Sequence, residues 1–339
     1  MIEYIDIDHA QEMDEFVRQH EYAHFMQTSL WGRVKKDWGW HGVICRAEDG
    51  SIRGTMALLE HKVHYFKTGL LYAPRGPIVA PDDFSTLEEL IDAGRQLAKK
   101  RGDYVFRFDP RIEEQNTAFS DEVRRLGFTQ DMASDYSLFQ PRMCYVTDLQ
   151  GLTKDALLAK YRRSTRYNVR LAERRGVTVR VGTLDDLPEF HRMMKITAAK
   201  DHFEARPYQY FVDFLTGLGD AARLYIAEKD GKAVAATIST EYGNRMWHMY
   251  GCSDTACLSD RPNELLQWAM QSHAIDAGIR YFDYRGVEGY PVEDNPKYGL
   301  HDYKQGFGAE FHSYVGQFDT TVRPIMKKLV LTLQKFYHR

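Results

Sequence analysis

The order of secondary-structure signals in the first half of this chain recurs in the second, and that repetition limits the fold more than any single motif. The first half opens with a strand signal over residues 3–7 and helical spacing over 10–18. A second helix is expected to start at Thr28 or Ser29. Extended runs over 41–47 and 53–61 flank Glu48-Asp49-Gly50-Ser51, a hairpin signal. A strand over 70–77, a helix over 86–101, an alternating strand over 104–110 and a helix over 114–126 follow, and residues 142–149 lead out extended. The second half repeats the hairpin over 225–242, then a strand over 245–252, a helix over 263–277 and a strand over 281–285. Gly50 to Gly231 spans 181 residues and Tyr104 to Tyr281 spans 177. Unrelated domains would not keep both order and spacing, so the pattern predicts an internal duplication. A length of 339 residues agrees with two domains.

The chain is 43% hydrophobic and 13% aromatic, which predicts two real cores rather than disorder. A net charge of −3 gives no global field for nucleic acid or membrane, so any basic surface must be local. The N-terminus lacks the features of a signal peptide, and no window approaches the apolar length of a membrane span. A cytoplasmic location is therefore expected, with action at the inner face of the membrane left open. Cys45, Cys144, Cys252 and Cys257 fit a reducing compartment and small buried strand residues. No His or Cys pair completes a zinc set, and no Walker-type phosphate loop occurs, so neither metal nor cofactor is expected. A monomer is the expected state.

Two stretches carry candidate chemistry. Residues 281–308 begin as an aromatic strand, pass through a loop with Gly286, Gly289, Pro291 and Pro296, and reach Tyr303 and Lys304 before Gly306 and Gly308. A long loop at a strand end suits a small-molecule site; a bulged strand with Lys304 solvated fits the same residues equally. Residues 160–175 hold seven Lys/Arg against one Glu, and Arg162, Arg166, Arg170 and Arg174 fall in one stripe on a helix. Either this is a solvated face or it contacts a phosphate backbone.

Each half has the order strand, helices, hairpin, strand, helix, strand, which resembles the GNAT (acyl-CoA N-acyltransferase) fold. The fold class expected is α/β, two tandem GNAT-like domains with mixed sheets flanked by helices. The Gln/Arg-x-x-Gly-x-Gly/Ala segment that holds coenzyme A pyrophosphate in that fold is missing before both long helices. Further segments lie along the whole chain. They include Trp31-Gly-Arg-Val-Lys-Lys-Asp-Trp38, Tyr72-Ala-Pro-Arg-Gly-Pro77, Tyr104-Val-Phe-Arg-Phe-Asp-Pro110 and Arg206-Pro-Tyr-Gln-Tyr-Phe211. Met246-Trp-His-Met-Tyr250, Asn263-Glu-Leu-Leu-Gln-Trp268 and Tyr303-Lys-Gln-Gly-Phe-Gly308 complete the set. In this order and spacing the chain resembles the Fem-type (FemABX) peptidoglycan-bridge aminoacyltransferases. The absence of a heptad run makes it similar to the short, FemX-like form without a helical arm.

That resemblance implies transfer of an amino acid from aminoacyl-tRNA to the side-chain amine of the third stem-peptide residue of UDP-MurNAc-pentapeptide or lipid II. It implies that Lys35 and Arg206 grip the precursor pyrophosphate and that Tyr104, Tyr210 and Tyr250 line the precursor site. Asp37 falls where a small polar residue contacts the same ligand, and an acid there is a departure. Asp109 is the residue implied to orient or deprotonate the acceptor amine, and Lys304, with Tyr303 beside it, to face the tRNA end and the oxyanion. Arg162, Arg166 and Arg170 are the further tRNA contacts. The division implied is 1–147 plus 318–339 for the precursor, and 148–317 for the aminoacyl-tRNA end and catalysis. Residues 323–337 are expected to pack on the first half through Ile325, Leu329, Leu333 and Phe336. Competing readings are a coenzyme A-dependent N-acyltransferase on the same fold and a non-catalytic tRNA- or precursor-binding module.

Overall fold

The computed structural model describes residues 1–63 and 66–337, with side chains as far as Leu333. The chain forms two compact units, Met1–Arg142 with Ser313–Arg339, and Met143–His312. The first unit runs β1 (Ile2–Ile5), α1 (Gln11–Gln19), α2 (Ser29–Val34), β2 (Gly39–Arg46), β3 (Ile52–Val63) and β4 (Thr68–Ala73). It continues with α3 (Phe84–Arg101), β5 (Val105–Phe108), α4 (Thr117–Arg125) and β6 (Thr129–Asp131). The second holds β7 (Met143–Asp148), α5 (Lys154–Lys160), α6 (Arg163–Arg174), β8 (Thr178–Val181), α7 (Leu187–Asp201) and α8 (Tyr208–Leu218). Next come β9 (Ala222–Lys229), β10 (Lys232–Tyr242), β11 (Arg245–Ser253), α9 (Pro262–Asp276), β12 (Tyr281–Val287), α10 (Tyr298–Gln305) and β13 (Glu310–Ser313). β14 (Gln317–Thr321) and α11 (Pro324–Tyr337) return to the first unit.

The two sheets have the same plan. Strands run β1-β2-β3-β4-β5-β14-β6 in one and β13-β7-β12-β11-β10-β9-β8 in the other. In each, the hairpin strands are antiparallel and the next pair is parallel, Leu70↔Val105 for β4–β5 and Arg245↔Tyr281 for β11–β12. The paired hairpins turn on glycines with positive φ, 87° at Gly50 and 72° at Gly231, a conformation that glycine adopts without steric cost. The strand beside β5 is β14, from the chain's end, and the strand beside β12 is β7, which precedes the rest of its own unit. Each sheet thus takes one strand out of sequence order. This moves the division. The expected boundaries 147/148 and 317/318 fall inside β7 and β14, whereas the units part at Arg142/Met143 and His312/Ser313. The extended stretch expected to lead out of the first half, residues 142–149, contains β7, which pairs with β12 in the second sheet.

Side-chain alternation explains the first core. Phe106 and Phe108 on β5 face Leu87, Leu90 and Ile91 of α3, in a cluster with no more than a few per cent exposure. Val105, on the opposite face, joins Leu70, Tyr72, Tyr104 and Val330. α11 covers this second face, but not with the stripe expected. Ile325 is 85% exposed and Leu329 40% exposed, while Val330 is buried and Met326 packs beside it. Apolar residues surround this helix, so periodicity did not fix which face turns inward; Phe336 lies outside the described side chains. Ile325→Lys should leave stability within about 0.5 kcal/mol. Val330→Lys, which forces a charge against Tyr72 and Tyr104, should cost about 2–4 kcal/mol in urea unfolding.

The basic stretch is not one helix. It breaks at Tyr161, which is extended (φ −65°, ψ 145°) and buries its ring edge-on against Trp268 and Phe307. Arg162 then caps α6, whose Val169 and Ala172 face the core while Arg170 and Arg174 stay exposed.

Candidate active site

In the first unit, α2 ends at Lys35, whose backbone N–H closes on Trp31 O and whose ammonium lies 5.2 Å from the Trp31 ring. Asp37 is exposed in the turn that follows. Trp38 lies tilted against His61, ring centres 4.6 Å apart, and packs on the cluster containing Tyr104. Asp109, just past β5, is buried, and both of its oxygens are engaged. One accepts the Tyr72 hydroxyl at 2.6 Å and the other the Arg75 backbone N–H at 2.7 Å. Burial pushes this carboxyl above its usual range, against the pull of Arg75 and the two hydrogen bonds. Tyr72 also belongs to the cluster of Tyr104, so Asp109 and Tyr104 meet through it. Arg107, next along the same face, is fixed by a bidentate pair with Asp319 at 2.7 and 2.6 Å. Neither Tyr72 nor Arg107 was among the expected site residues; the alternation of β5 was the available signal.

In the second unit, β11 and β12 pair for only three residues, ending at Trp247↔Asp283. Beyond that point β12 bulges and Arg285 has φ 63°. The bulge frees the carbonyls of Arg285 and Gly286, and Lys304 takes both, at 3.0 and 2.6 Å. Lys304 is therefore not solvated; it is 6% exposed and roots α10 under the split. Burial, with a smaller push from Arg285, brings the ammonium down to about 7, against the opposing pull of Asp283. An ammonium has three donors, so one N–H remains for a ligand. α10 is pinned from behind by His301, fully buried, between the Tyr145 hydroxyl at 3.1 Å and Glu288 O at 3.1 Å.

Tyr303 sits edge-on to Phe307 at 5.1 Å and borders two cavities. One, of about 280 Å³, carries Arg162, Arg261, Ser164 and Asn168 together with Glu264 and Asp302. Arg162 pairs there with Asp302 at 2.7 Å. Arg166 turns back onto Ala159 O, so the expected stripe is only partly a free face. The other cavity, of about 210 Å³, lies among α7, β10, β11 and α9 and includes His248. A third group joins Arg206, Tyr210 and Tyr250. The two hydroxyls are 2.8 Å apart, Phe211 and Phe214 enclose Tyr250, and exposed Arg206 lies over the Tyr210 ring at 5.5 Å. Burial raises both phenols.

A model of the FemAB family matches residues 9–241 and 226–335. The chain belongs to the FemAB family. It is an aminoacyltransferase by class, built on two GNAT-like sheets. It is 26% identical over 396 aligned positions to lipid II:glycine glycyltransferases of Staphylococcus aureus, strains bovine RF122 / ET3-1 and COL, across 94% of this chain and 93% of each relative. Those alignments run longer than the 339 residues here, so the relatives hold stretches that this family member lacks. In structure it is similar to FemX, with a TM-score of 0.88 at 23% identity over 97% of this chain and 99% of that one. A tandem GNAT protein from the clavulanic acid biosynthesis pathway gives 0.58 at 11% identity over 95% and 99%. Among the described residues no helix is long and apolar enough to cross a membrane.

Proposed function

We propose that the chain transfers an amino acid from aminoacyl-tRNA to the side-chain amine of the third stem-peptide residue of a peptidoglycan precursor, UDP-MurNAc-pentapeptide or lipid II. The observation that carries this is the split between β11 and β12, with Lys304 held beneath it and Tyr303 between a polar cup and a compact cavity. An activated ester and an amine need alignment and a stabilised oxyanion more than a strong nucleophile. The family relatives named lipid II:glycine glycyltransferase support transfer of an amino acid onto a peptidoglycan precursor.

In this reading the first unit binds the precursor, with Lys35 on its diphosphate, Tyr104 in its site and Asp109 orienting the acceptor amine through Tyr72. Asp37, exposed beside Lys35, contacts the same ligand. Arg206, Tyr210 and Tyr250 also contact the precursor. Lys304 and Tyr303 act at the ester, and Arg162, Arg166 and Arg170 hold the tRNA backbone. The test is a transfer assay with a panel of charged tRNAs against UDP-MurNAc-pentapeptide and lipid II. Transfer from none of them would end the proposal, and binding of acetyl-coenzyme A by calorimetry would replace it with the acyl-CoA reading.

Contacts of a cation with phosphate are worth roughly 1.5–3 kcal/mol each. Lys35→Met and Arg206→Met are each expected to raise the precursor KM about tenfold or more, with aminoacyl-tRNA affinity little changed. An unchanged precursor KM in both would remove these residues from the site.

A further inference from the structure

β11 and β12 separate after Trp247 and Asp283, and the first side chain past the split on β11 is His248. It lines the cavity of about 210 Å³ together with Thr237, Gly251, Asn263, Gln267 and Tyr303. One edge of the ring is fixed: Nδ1 lies 3.1 Å from Nε2 of Gln267, a side chain only 3% exposed. An amide N–H donates, so Nδ1 accepts and the ring hydrogen is assigned to Nε2. That Nε2 edge turns toward Gly251, where a methyl group built on the glycine would come within 2.9 Å of it. Burial first, then the charges of Lys304 and Arg285, push the imidazole down to about 3, so the ring stays neutral near pH 7.

We propose that this cavity seats the aminoacyl ester of the donor and that His248 Nε2–H donates to the ester carbonyl oxygen, an assignment that rests on the transfer reaction above. Tyr303 divides the two cavities. The cup, where Arg162 and Arg261 stand beside Asp302 and Glu264 with Ser164 and Asn168, offers donors and acceptors suited to the ribose end of the donor. The cavity of His248, lined by Ala236, Cys252 and Leu266 as well as polar groups, with Lys200 and Asp201 also in its lining, takes the acyl group. His248 also lies within electrostatic reach of Lys304.

The step balances without a proton moving through His248. The lone pair of the acceptor nitrogen forms the C–N bond, and the C–O bond to ribose breaks. The ribose oxygen leaves with the bonding pair and takes up the proton that the nitrogen gives up. His248 only holds the carbonyl oxygen as negative charge builds on it, which a neutral, fixed N–H does without reorganising.

Single-turnover transfer by the intact chain tests the assignment. His248→Phe removes the N–H and is expected to lower kcat by about 10²–10³, with precursor KM and affinity for uncharged tRNA within about twofold. His248→Gln, which presents an amide N–H, should recover about tenfold or more of that loss. Equal losses in both variants, a weakened precursor KM, or full kcat in His248→Phe would each overturn the assignment. Should His248→Phe not fold, Gly251→Ala, whose methyl meets the Nε2 edge, takes its place with the same expected split of kcat from KM. Failure of the unaltered chain to use any aminoacyl-tRNA would instead overturn the reaction itself, before any variant is made.

Discussion

Lys304→Met is expected to lower kcat by about 10²–10³ at saturating aminoacyl-tRNA, with the precursor KM little changed. The expectation follows from what the fold does with this lysine. Two of its N–H groups satisfy the carbonyls freed by the β12 bulge, and the remaining one is available where the strands part. The arrangement is costly to the fold. With the ammonium brought down to about 7 from 10.5, the unfolded chain holds more protons than the folded one between those values. Stability therefore rises with pH across that window, and Lys304→Met should flatten the rise; because it leaves the carbonyls of Arg285 and Gly286 without their donor, it should also lower the melting temperature at neutral pH. The kinetic sign is opposite. The ammonium is the form that stabilises an oxyanion, so kcat of the unaltered chain should fall as pH rises through about 7, and the variant should lack that limb. Full kcat in Lys304→Met would leave the residue as a tRNA anchor only, visible as a salt slope reduced by about one unit.

Asp109→Asn should be the largest change in the first unit, lowering kcat/KM for the precursor by about 10²–10⁴. Both carboxylate oxygens accept hydrogen bonds, from Tyr72 and from Arg75 N–H. An amide keeps one acceptor and turns its NH₂ against a donor, which should also cost about 1–3 kcal/mol of stability. Because burial holds this carboxyl above 3.8, the folded chain binds the extra proton, and its contribution to stability falls as pH rises from there. Asn removes that slope. Tyr72→Phe separates the roles, since it deletes one hydrogen bond and leaves the carboxylate. If Asp109→Asn lost stability in urea yet kept kcat/KM, the pair would be a structural clasp and not part of the reaction.

Much of the architecture was legible because it is local and repeated. The hairpins around Gly50 and Gly231, the helix over Phe84–Arg101 and the strand halted before Pro110 each carry their own turn, cap or alternation. Duplication made the second sheet readable from the first. The candidate site was readable only as segments. Tyr303 and Lys304 stood out by type, and the Arg206, Tyr210 and Tyr250 group came together in one unit. His248 did not stand out, although it lies in a quoted segment. Ile238 pairs with Tyr250 and Ser239 with His248, so Met249 is the extra residue of a bulge and simple alternation fails there.

Taken alone, the sequence determined the α/β class and the two-fold repeat of elements, because period, turn type and charge act over a few neighbours. Tertiary structure alone decided which strand completes each sheet, which face of α11 is covered and that Lys304 is buried rather than solvated. Those outcomes depend on backbone groups and apolar faces far apart in the chain finding one another. β14 reaches β5 from more than 200 residues away, and no pattern within either segment specifies that pairing.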